Sequence, residues 1–206
     1  MQIIEKYFKD LTERQRGQFA ALDALYHEWN EKINVISRKD IDNLYEHHVL
    51  HSLAIGKFIQ FKPYTEVLDF GTGGGFPGVP LAILFPECLF TLIDGTGKKI
   101  RVAQEVCQAI GLDNCTPVHR RGEDEKGKYD FVVSRAVMPL PDLVKIVRKN
   151  IKREQRNAYP NGVICLKGGN VQSEISPYKR TAETQELSSW FDEEWFKEKH
   201  CIYVQL

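Results

Sequence analysis

The chain has 206 residues, of which 42% are hydrophobic and 27% are charged. These are ordinary values for a globular protein and exclude disordered, collagen-like and low-complexity classes. Its 28 basic residues balance 28 acidic ones, which excludes a generally polycationic nucleic-acid-binding protein and leaves room for a local basic patch. The length predicts one compact domain.

The sequence carries no targeting or membrane signal. No apolar run approaches the roughly 20 residues of a membrane span, and the first residues lack an apolar stretch long enough for a secretory signal. The cysteines are odd in number and show no Cys-x-x-Cys spacing, which favours reduced thiols over disulfides or a zinc site. We therefore expect a cytoplasmic monomer with no membrane partner and no metal.

The N-terminal part of the chain predicts helices. Thr12 and Gln15 form a capping-box pattern, in which each side chain binds the backbone of the other residue. Apolar residues then recur at helical spacing, which predicts a helix over 12–36. A second helix is predicted over 40–61, ended by Pro63.

After Pro63, strands alternate with helices. Strands are predicted at 67–70, 89–93, 116–119, 130–133 and 162–166, with helices at 98–110 and 140–152. This alternation predicts a parallel sheet covered on both faces. Two extended segments at the end, 184–190 and 200–206, predict an antiparallel hairpin at the sheet edge. We expect a helical extension, 1–62, packed on an α/β core, 63–206.

A glycine-rich turn follows the first predicted strand, with the sequence Asp69-Phe-Gly-Thr-Gly-Gly-Gly-Phe-Pro-Gly78. Ligands of doubly wound sheets bind at the carboxyl ends of the strands, where glycines let them approach the backbone. The spacing Gly73-x-Gly75-x-x-Gly78 matches a dinucleotide fingerprint, which alone is a weak signal that a turn without a ligand also satisfies. Asp94, ending the next strand, is suited to accept hydrogen bonds from ribose hydroxyls.

Two ligands fit this turn, a dinucleotide and S-adenosylmethionine. An acidic residue just before the glycines, Asp69, resembles the first motif of class I methyltransferases. Pro77 offers no backbone N–H at the helix start, where a pyrophosphate would need a donor. These features favour S-adenosylmethionine. The alternatives are a Rossmann-type NAD-dependent oxidoreductase and a non-catalytic RNA-binding protein that keeps S-adenosylmethionine as a structural ligand.

Further segments resemble one protein family in chain order. They are Trp29-Asn-x-x-Ile-Asn34, His48-Val-Leu-His-Ser-Leu53, Gly71-Thr-Gly-Gly-Gly-Phe-Pro-Gly-Val-Pro80, Leu92-Ile-Asp94 with Lys98-Lys99, Ser134-Arg-Ala136 and Leu166-Lys-Gly168. Together, over about 11–168, they resemble the bacterial small-subunit (16S) ribosomal RNA guanine-N7 methyltransferases, also called glucose-inhibited division protein B. The resemblance implies a class I methyltransferase fold with an N-terminal helical cap, and methyl transfer from S-adenosylmethionine to guanine N7.

The resemblance also implies site residues. The implied cofactor-binding residues are Gly71, Gly73, Phe76, Asp94, Gly122, Glu123 and Arg135. Arg135, after the fourth strand, is the candidate catalytic residue near the sulfonium and the target base. His51 stands where the family often has aspartate, which leaves the role of that aspartate open in this chain.

Basic residues and histidines supply the remaining candidates. The segment 145–156 carries six basic residues and a single acidic one, and is either a solvated helix face or a phosphate-contacting patch. Lys149 and Lys152 from this segment, with Lys167, are the candidate RNA-binding residues. His47 and His51 have a spacing compatible with a metal, but no third ligand is evident, which favours packing or an RNA-facing surface.

Residue types after the fourth strand bear on the reaction. Many enzymes that methylate exocyclic amines carry an Asn/Asp-Pro-Pro-Tyr/Phe motif at the position of Ser134-Arg-Ala136. Methylation of cytosine C5 needs a nucleophilic cysteine at the pocket, and no Pro-Cys pair occurs. Guanine N7 has an exposed lone pair and needs no general base, so alignment can supply most of the acceleration. These residues permit N7 methylation, and the resemblance selects it.

Overall fold

The computed structural model describes residues 1–135 and 137–206. Its strands are β1 (Glu66–Phe70), β2 (Leu89–Asp94), β3 (Cys115–His119), β4 (Phe131–Arg135), β5 (Gly162–Gly168), β6 (Ala182–Glu186) and β7 (Lys199–Gln205). They form one seven-stranded sheet in the order β3-β2-β1-β4-β5-β7-β6. Ala136, at the end of the Ser134-Arg-Ala136 segment, lies outside the described residues.

Strand direction in this sheet locates the ligand crevice. The first five strands pair in parallel, and β7 runs antiparallel to both β5 and β6, which confirms the predicted edge hairpin. The strand order reverses at β1 and β4, which are neighbours in the sheet. In open α/β sheets, ligands bind beside such a reversal, outside the carboxyl ends of the strands.

Helices cover both faces of the sheet. They are α1 (Gln2–Tyr7), α2 (Glu13–Lys32), α3 (His51–Phe58), α4 (Gly78–Leu84), α5 (Gly97–Ala109), α6 (Leu140–Val147) and α7 (Gln172–Ile175). The predicted capping box is present at the start of α2, although that helix ends earlier than predicted. The second predicted helix begins with a wider π-helical stretch, Leu44–Leu50, that continues into α3. The helix predicted over 140–152 ends at Val147 and continues as a tighter turn.

The N-terminal helices and the sheet share a hydrophobic core. Leu22 of α2 and Leu53 of α3 are fully buried in the same cluster as Val67 of β1. The next residue, Leu68, lies in a second cluster with Leu143 of α6, because successive strand residues point to opposite faces. The carboxyl edge of the sheet is therefore framed by core helices on one side and by the N-terminal helices on the other. None of the helices in the described residues is both long and apolar enough to cross a membrane.

Candidate active site

Asp69 lies beneath the glycine-rich turn and stabilises it through hydrogen bonds. Its Oδ2 accepts hydrogen bonds from the Thr72 hydroxyl at 2.6 Å and from the Gly78 backbone N–H at 2.7 Å. The carboxyl group is fully buried, and its Oδ1 has no hydrogen-bond partner among residues 1–135 and 137–206. Burial raises the pKa of Asp69 to about 7, although the hydrogen bonds from Thr72 and Gly78 act in the opposite direction. Asp69 thus joins the two ends of the turn and leaves one oxygen unsatisfied.

Asp94 holds the outer side of the same turn. Its Oδ2 accepts from the Gly73 backbone N–H at 3.0 Å, and its Oδ1 accepts from the Thr96 N–H at 2.8 Å. Gly73 has a φ of +58°, which favours glycine. A carboxylate offers about four acceptor positions, so half-buried Asp94 keeps capacity for ribose hydroxyls while it shapes the turn.

The turn after β3 requires a glycine for packing. A Cβ on Gly122 would lie 2.0 Å from the ring of Phe70, the last residue of β1. The neighbouring Glu123 is exposed, and its backbone carbonyl accepts a hydrogen bond from the Lys149 ammonium at 2.5 Å. The structure therefore brings Lys149 to the turn that the resemblance assigns to the adenine.

Arg135 ends β4 and points toward the N-terminal helices. Its Nη1 donates to the His47 carbonyl at 3.2 Å, and its Nη2 donates to Nδ1 of His48 at 3.1 Å. The guanidinium carbon lies 5.2 Å from the centre of the Phe76 ring. Among the described residues, no carboxylate lies within ion-pair distance of this guanidinium. Burial lowers the pKa of Arg135 to about 10, so it remains protonated at neutral pH.

Residues from the N-terminal part of the chain pack over the glycine-rich turn. The Tyr26 hydroxyl donates to the Gly74 carbonyl at 2.8 Å, and a Cβ on Gly74 would lie 2.8 Å from Val35. Asn30 fixes the chain around Val35, because its Oδ1 accepts from the Val35 and Ile36 N–H groups. In the sequence, Asn30 is part of the Trp29–Asn34 segment of the family resemblance. Tyr26 was not predicted as a site residue, because its helical spacing indicates core packing alone.

The histidines divide into two environments. His47 and His48 both contact the carboxylate of Asp40, at 2.5 Å and 2.8 Å. His51 is buried, with its ring centre 5.0 Å from that of Trp195, and its Nε2 has no hydrogen-bond partner in the described part of the chain. Burial holds the pKa of His51 well below its ordinary value. Within the described residues, no three metal-ligating side chains converge, and His51 packs in the core.

All three predicted RNA-binding lysines make internal contacts, and that of Lys149 is its hydrogen bond to the Glu123 carbonyl. Lys167 donates to the Met138 carbonyl and to Glu174, both at 2.6 Å, and thereby pins the segment that follows β4. Lys152 lies 2.6 Å from Glu66, the first residue of β1, which places it at the amino edge of the sheet. Lys149 therefore lies beside the turn after β3, and Lys167 stabilises the segment after β4 at the same, carboxyl edge of the sheet. Lys152 lies at the opposite, amino edge.

The remaining polar capacity fits S-adenosylmethionine. Within the part of the chain that the structure describes, Asp69 has an unsatisfied buried oxygen and a Cβ on Gly73 would meet nothing within 4 Å. Asp94 retains acceptor positions. Gly71 and Phe76 line the same turn, and Val137 lies over Gly71. The turn therefore combines open space with acceptors that suit the ammonium and ribose groups of this cofactor.

The strand order and the site at the carboxyl edge define a class I S-adenosylmethionine-dependent methyltransferase. A solved S-adenosylmethionine-dependent methyltransferase from Aquifex aeolicus superposes with a TM-score of 0.59 and 16% identity, covering 82% of this chain and 98% of that chain. This similarity confirms the predicted fold class.

Sequence similarity identifies the family. The family model described as GidB, rRNA small subunit methyltransferase G, matches residues 15–199. The ribosomal RNA small subunit methyltransferase G of Bacteroides thetaiotaomicron is 64% identical over 206 residues, 100% of both chains. That of Phocaeicola vulgatus is 61% identical, over 100% of this chain and 99% of its own. The chain belongs to the rRNA small subunit methyltransferase G family.

Membership confirms the family, the methyltransferase activity and the cofactor expected from the sequence. It gives no support to an oxidoreductase or to a non-catalytic RNA-binding protein.

Proposed function

We propose that the chain transfers a methyl group from S-adenosylmethionine to N7 of a guanine in the RNA of the small ribosomal subunit. The observation that carries this proposal is Arg135, a protonated arginine at the carboxyl edge of the sheet with no carboxylate partner among the described residues. The planar fork of an arginine suits planar oxygen acceptors such as guanine O6 or a carboxylate. Family membership supports ribosomal RNA as the substrate.

The proposed cofactor contacts follow the carboxyl ends of three neighbouring strands. Asp94 would accept from the ribose hydroxyls, and Gly122 with Glu123 would border the adenine. Gly71, Gly73 and Phe76 would line the methionine and adenosine. When bound, S-adenosylmethionine would supply an electrophilic methyl group on a cationic sulfur, whose carbon–sulfur bond would break to give a neutral thioether as the guanine lone pair forms the new carbon–nitrogen bond.

Arg135 is the proposed catalytic residue, and its role is to orient rather than to move a proton. Arginine keeps its proton in proteins, so it cannot act as a base. A donor bound to N7 would block the attacking lone pair, which leaves guanine O6 or the cofactor carboxylate as its acceptor. Alignment of two reactants in this way can contribute about 7–11 kcal/mol to lowering a barrier.

The other titratable groups near Arg135 support a reaction without a general base. Asp69 has a pKa of about 7, but it is fully buried beneath the turn, and its Oδ2 is held there by hydrogen bonds from Thr72 and Gly78. His48 faces Arg135 through Nδ1, so that lone pair is occupied. Guanine N7 needs no deprotonation before methylation, and an arrangement of this kind suits it better than an exocyclic amine.

The proposed RNA-contacting surface lies along α6 and the turn Arg148–Asn150 that follows it, beside Glu123. Lys145 and Lys149 are exposed and line a cleft of about 450 Å³ together with Glu123 and Asp142. Lys167 braces the segment after β4 and belongs to the site through that brace. The N-terminal helices 1–62 act as a cap over the core 63–206. We infer a monomer acting in the cytoplasm, where ribosomal RNA is available.

Replacing one atom of the RNA tests the proposed target. Small-subunit RNA transcribed with 7-deazaguanosine carries C–H in place of N7 and keeps the other base-pairing groups. With radiolabelled S-adenosylmethionine, we expect label in the guanosine transcript and none in the 7-deaza transcript. Equal labelling of both transcripts would refute N7 as the acceptor. The guanosine transcript incubated with the Arg135→Lys variant serves as the low-activity control.

A further inference from the structure

Asp40 connects two neighbouring histidines to the site from the loop before the π-helical stretch Leu44–Leu50. Its Oδ1 lies 2.5 Å from Nδ1 of His47, and its Oδ2 lies 2.8 Å from Nε2 of His48. The other ring nitrogen of His48, Nδ1, lies 3.1 Å from Nη2 of Arg135. A continuous chain of hydrogen bonds therefore runs from Asp40 through His48 to Arg135.

The chemistry of the three groups fixes the proton on His48. Arginine only donates hydrogen bonds, so Nδ1 of His48 must be the acceptor in its contact with Arg135. A neutral imidazole with a bare Nδ1 carries its proton on Nε2, and that N–H donates to the Asp40 carboxylate. Burial, reinforced by the charge of Arg135, lowers the pKa of His48 to about 4, so the neutral ring is the form present at neutral pH.

We propose that Asp40 is a positioning residue for methyl transfer, holding the His48 ring so that its bare nitrogen orients the guanidinium of Arg135. The inference rests on the proposed function, in which Arg135 contacts the guanine or the cofactor. Asp40 acts through His48 and touches neither partner.

The arrangement leaves part of the guanidinium free for the substrate. Arg135 uses two N–H groups on the cap, one to the His47 carbonyl and one to His48, out of the five that arginine carries. The ring of Phe76 lies against the guanidinium. If His48 turned or moved its proton to Nδ1, a ring N–H would face the guanidinium, and two donors cannot share a hydrogen bond.

Partners of Asp40 other than His48 do not reach Arg135 through their side chains. His47 stacks on Trp195 with ring centres 4.3 Å apart, and Asn43 donates to Asp40 at 3.3 Å. Hydrogen bonds from both histidines hold the pKa of the Asp40 carboxyl below its ordinary value even though burial acts against them. Asp40 is therefore an ionised acceptor, which strengthens the acceptor character of the opposite ring nitrogen of His48.

The test compares Asp40→Leu, which keeps the approximate size of the side chain without its oxygens, with Asp42→Leu. Asp42 lies two positions further on, is exposed, and contacts His27 at 3.4 Å near the surface. Nitrogen-15 NMR of the cofactor-free protein reads the His48 tautomer directly. We expect a single Nε2–H form in the wild type and in Asp42→Leu, and signals moved toward a mixture of tautomers or ring orientations in Asp40→Leu.

Kinetic measurements then distinguish a positioning role of Asp40 from a purely structural one. We expect turnover of Asp40→Leu to fall about tenfold, the scale of effect that a small misalignment of Arg135 produces, whether Arg135 holds guanine O6 or the cofactor carboxylate. In His48→Asn, an amide oxygen can take the place of Nδ1 without help from Asp40. Adding Asp40→Leu to His48→Asn should therefore lower turnover by less than about twofold.

Unchanged NMR signals and turnover in Asp40→Leu would overturn the inference, as would an equal loss in the His48→Asn background. A fall in thermal stability that accounts for the lost turnover would make Asp40 a scaffold residue and also overturn it. Wild-type protein that methylates no ribosomal RNA would refute the proposed function instead. The two failures are distinguishable, because the tautomer is measured without cofactor or RNA.

Discussion

The two edges of the sheet use similar charged residues in opposite ways. At the amino edge, Lys152 lies 2.6 Å from Glu66 and 3.6 Å from Asp130, and Asp130 also accepts from the Glu66 backbone N–H at 2.8 Å. These charges satisfy one another. At the carboxyl edge, Asp69 has an oxygen without a partner, and Arg135 has no carboxylate partner among the described residues.

This difference shows where a ligand is to be sought. Buried polar groups normally find partners within the protein, and each exception needs an explanation. Basic and acidic residues occur at both edges, so residue type alone does not separate them. Unpartnered neutral acceptors occur at the amino edge too, at Asn150 and Asn161, whereas the buried charged groups that lack a partner among the described residues, Asp69 Oδ1 and Arg135, lie beside the glycine-rich turn.

The largest effect is expected from the unsatisfied carboxyl of Asp69. Its pKa is raised from 3.8 to about 7 in the folded protein, so between about pH 4 and pH 7 the unfolded chain loses a proton that the folded chain keeps. The free energy of unfolding should fall with rising pH across this window, by up to about 1.4 kcal/mol per pH unit from this group. Below pH 4 and above pH 7 the contribution is constant.

Asp69→Asn removes this titration. Urea denaturation of both proteins at intervals from pH 4 to pH 8 gives the difference between their free energies of unfolding. That difference should decline as the pH rises toward 7 and then level off. A difference that is independent of pH would show that Asp69 titrates normally and is not strained by its burial.

The next largest effect concerns the acceptors of Asp94. Asp94→Ala should weaken binding of S-adenosylmethionine by about 1.5–3 kcal/mol, the usual worth of a hydrogen bond to a charged group. Because Asp94 also holds the Gly73 N–H, part of the loss comes from loosening the turn. Calorimetric titration measures the affinity, with the exposed Asp113→Ala as a control. An affinity equal to that of the control would remove Asp94 from the site.

A further test concerns the planar pair of N–H donors in the Arg135 guanidinium. Arg135→Lys keeps the charge and loses the planar pair of donors, so methyl transfer should fall about tenfold or more, equivalent to at least about 1.4 kcal/mol of barrier. Thermal stability should stay near that of Arg101→Lys, a change on the exposed face of α5. Weaker cofactor binding would assign the fork to the cofactor carboxylate, and unchanged binding would assign it to guanine O6. Normal methylation, or a loss of stability in proportion to activity, would make Arg135 a scaffold residue.

The smallest effect separates two lysines of one basic segment. Lys149→Ala should flatten the plot of log RNA affinity against log salt by about 0.7–0.9, the value for one lost phosphate contact. Lys152→Ala should leave that slope unchanged and lower the free energy of unfolding by about 1 kcal/mol, because it removes a partly exposed ion-pair partner from Glu66 and Asp130. Equal effects of both changes on the slope would contradict the contrast between the two edges.

The fold was largely predictable because its signals are local. Alternation of apolar strands with helices predicted the parallel sheet, and the short link between the last two strands predicted their hairpin. The capping box at Thr12 was read correctly because it spans only three positions. Helix ends were less predictable, since the chain around Leu44–Leu50 widens into a π-helical stretch that has no distinct sequence pattern.

The site was predictable only in part because its contacts join distant segments. Asp94 and Arg135 end strands and are predicted site residues from that position and, for Arg135, from the family resemblance, whereas Tyr26 and Asp40 make their contacts across the cap. Lys149 and Lys152 look equivalent in the sequence, yet one reaches the turn after β3 and the other pairs with the start of β1. Such long-range pairing leaves no periodic trace in the chain.

The most direct test of the central claim maps the methyl group on the RNA. Small ribosomal subunits that lack the modification are incubated with the protein and radiolabelled S-adenosylmethionine, and the RNA is treated with borohydride and aniline, which cleave the chain at N7-methylguanosine. The account predicts that label enters the RNA and that the chain is cleaved at the labelled guanosine. Label that resists this cleavage, or that lies on another base or on a ribose, would contradict it.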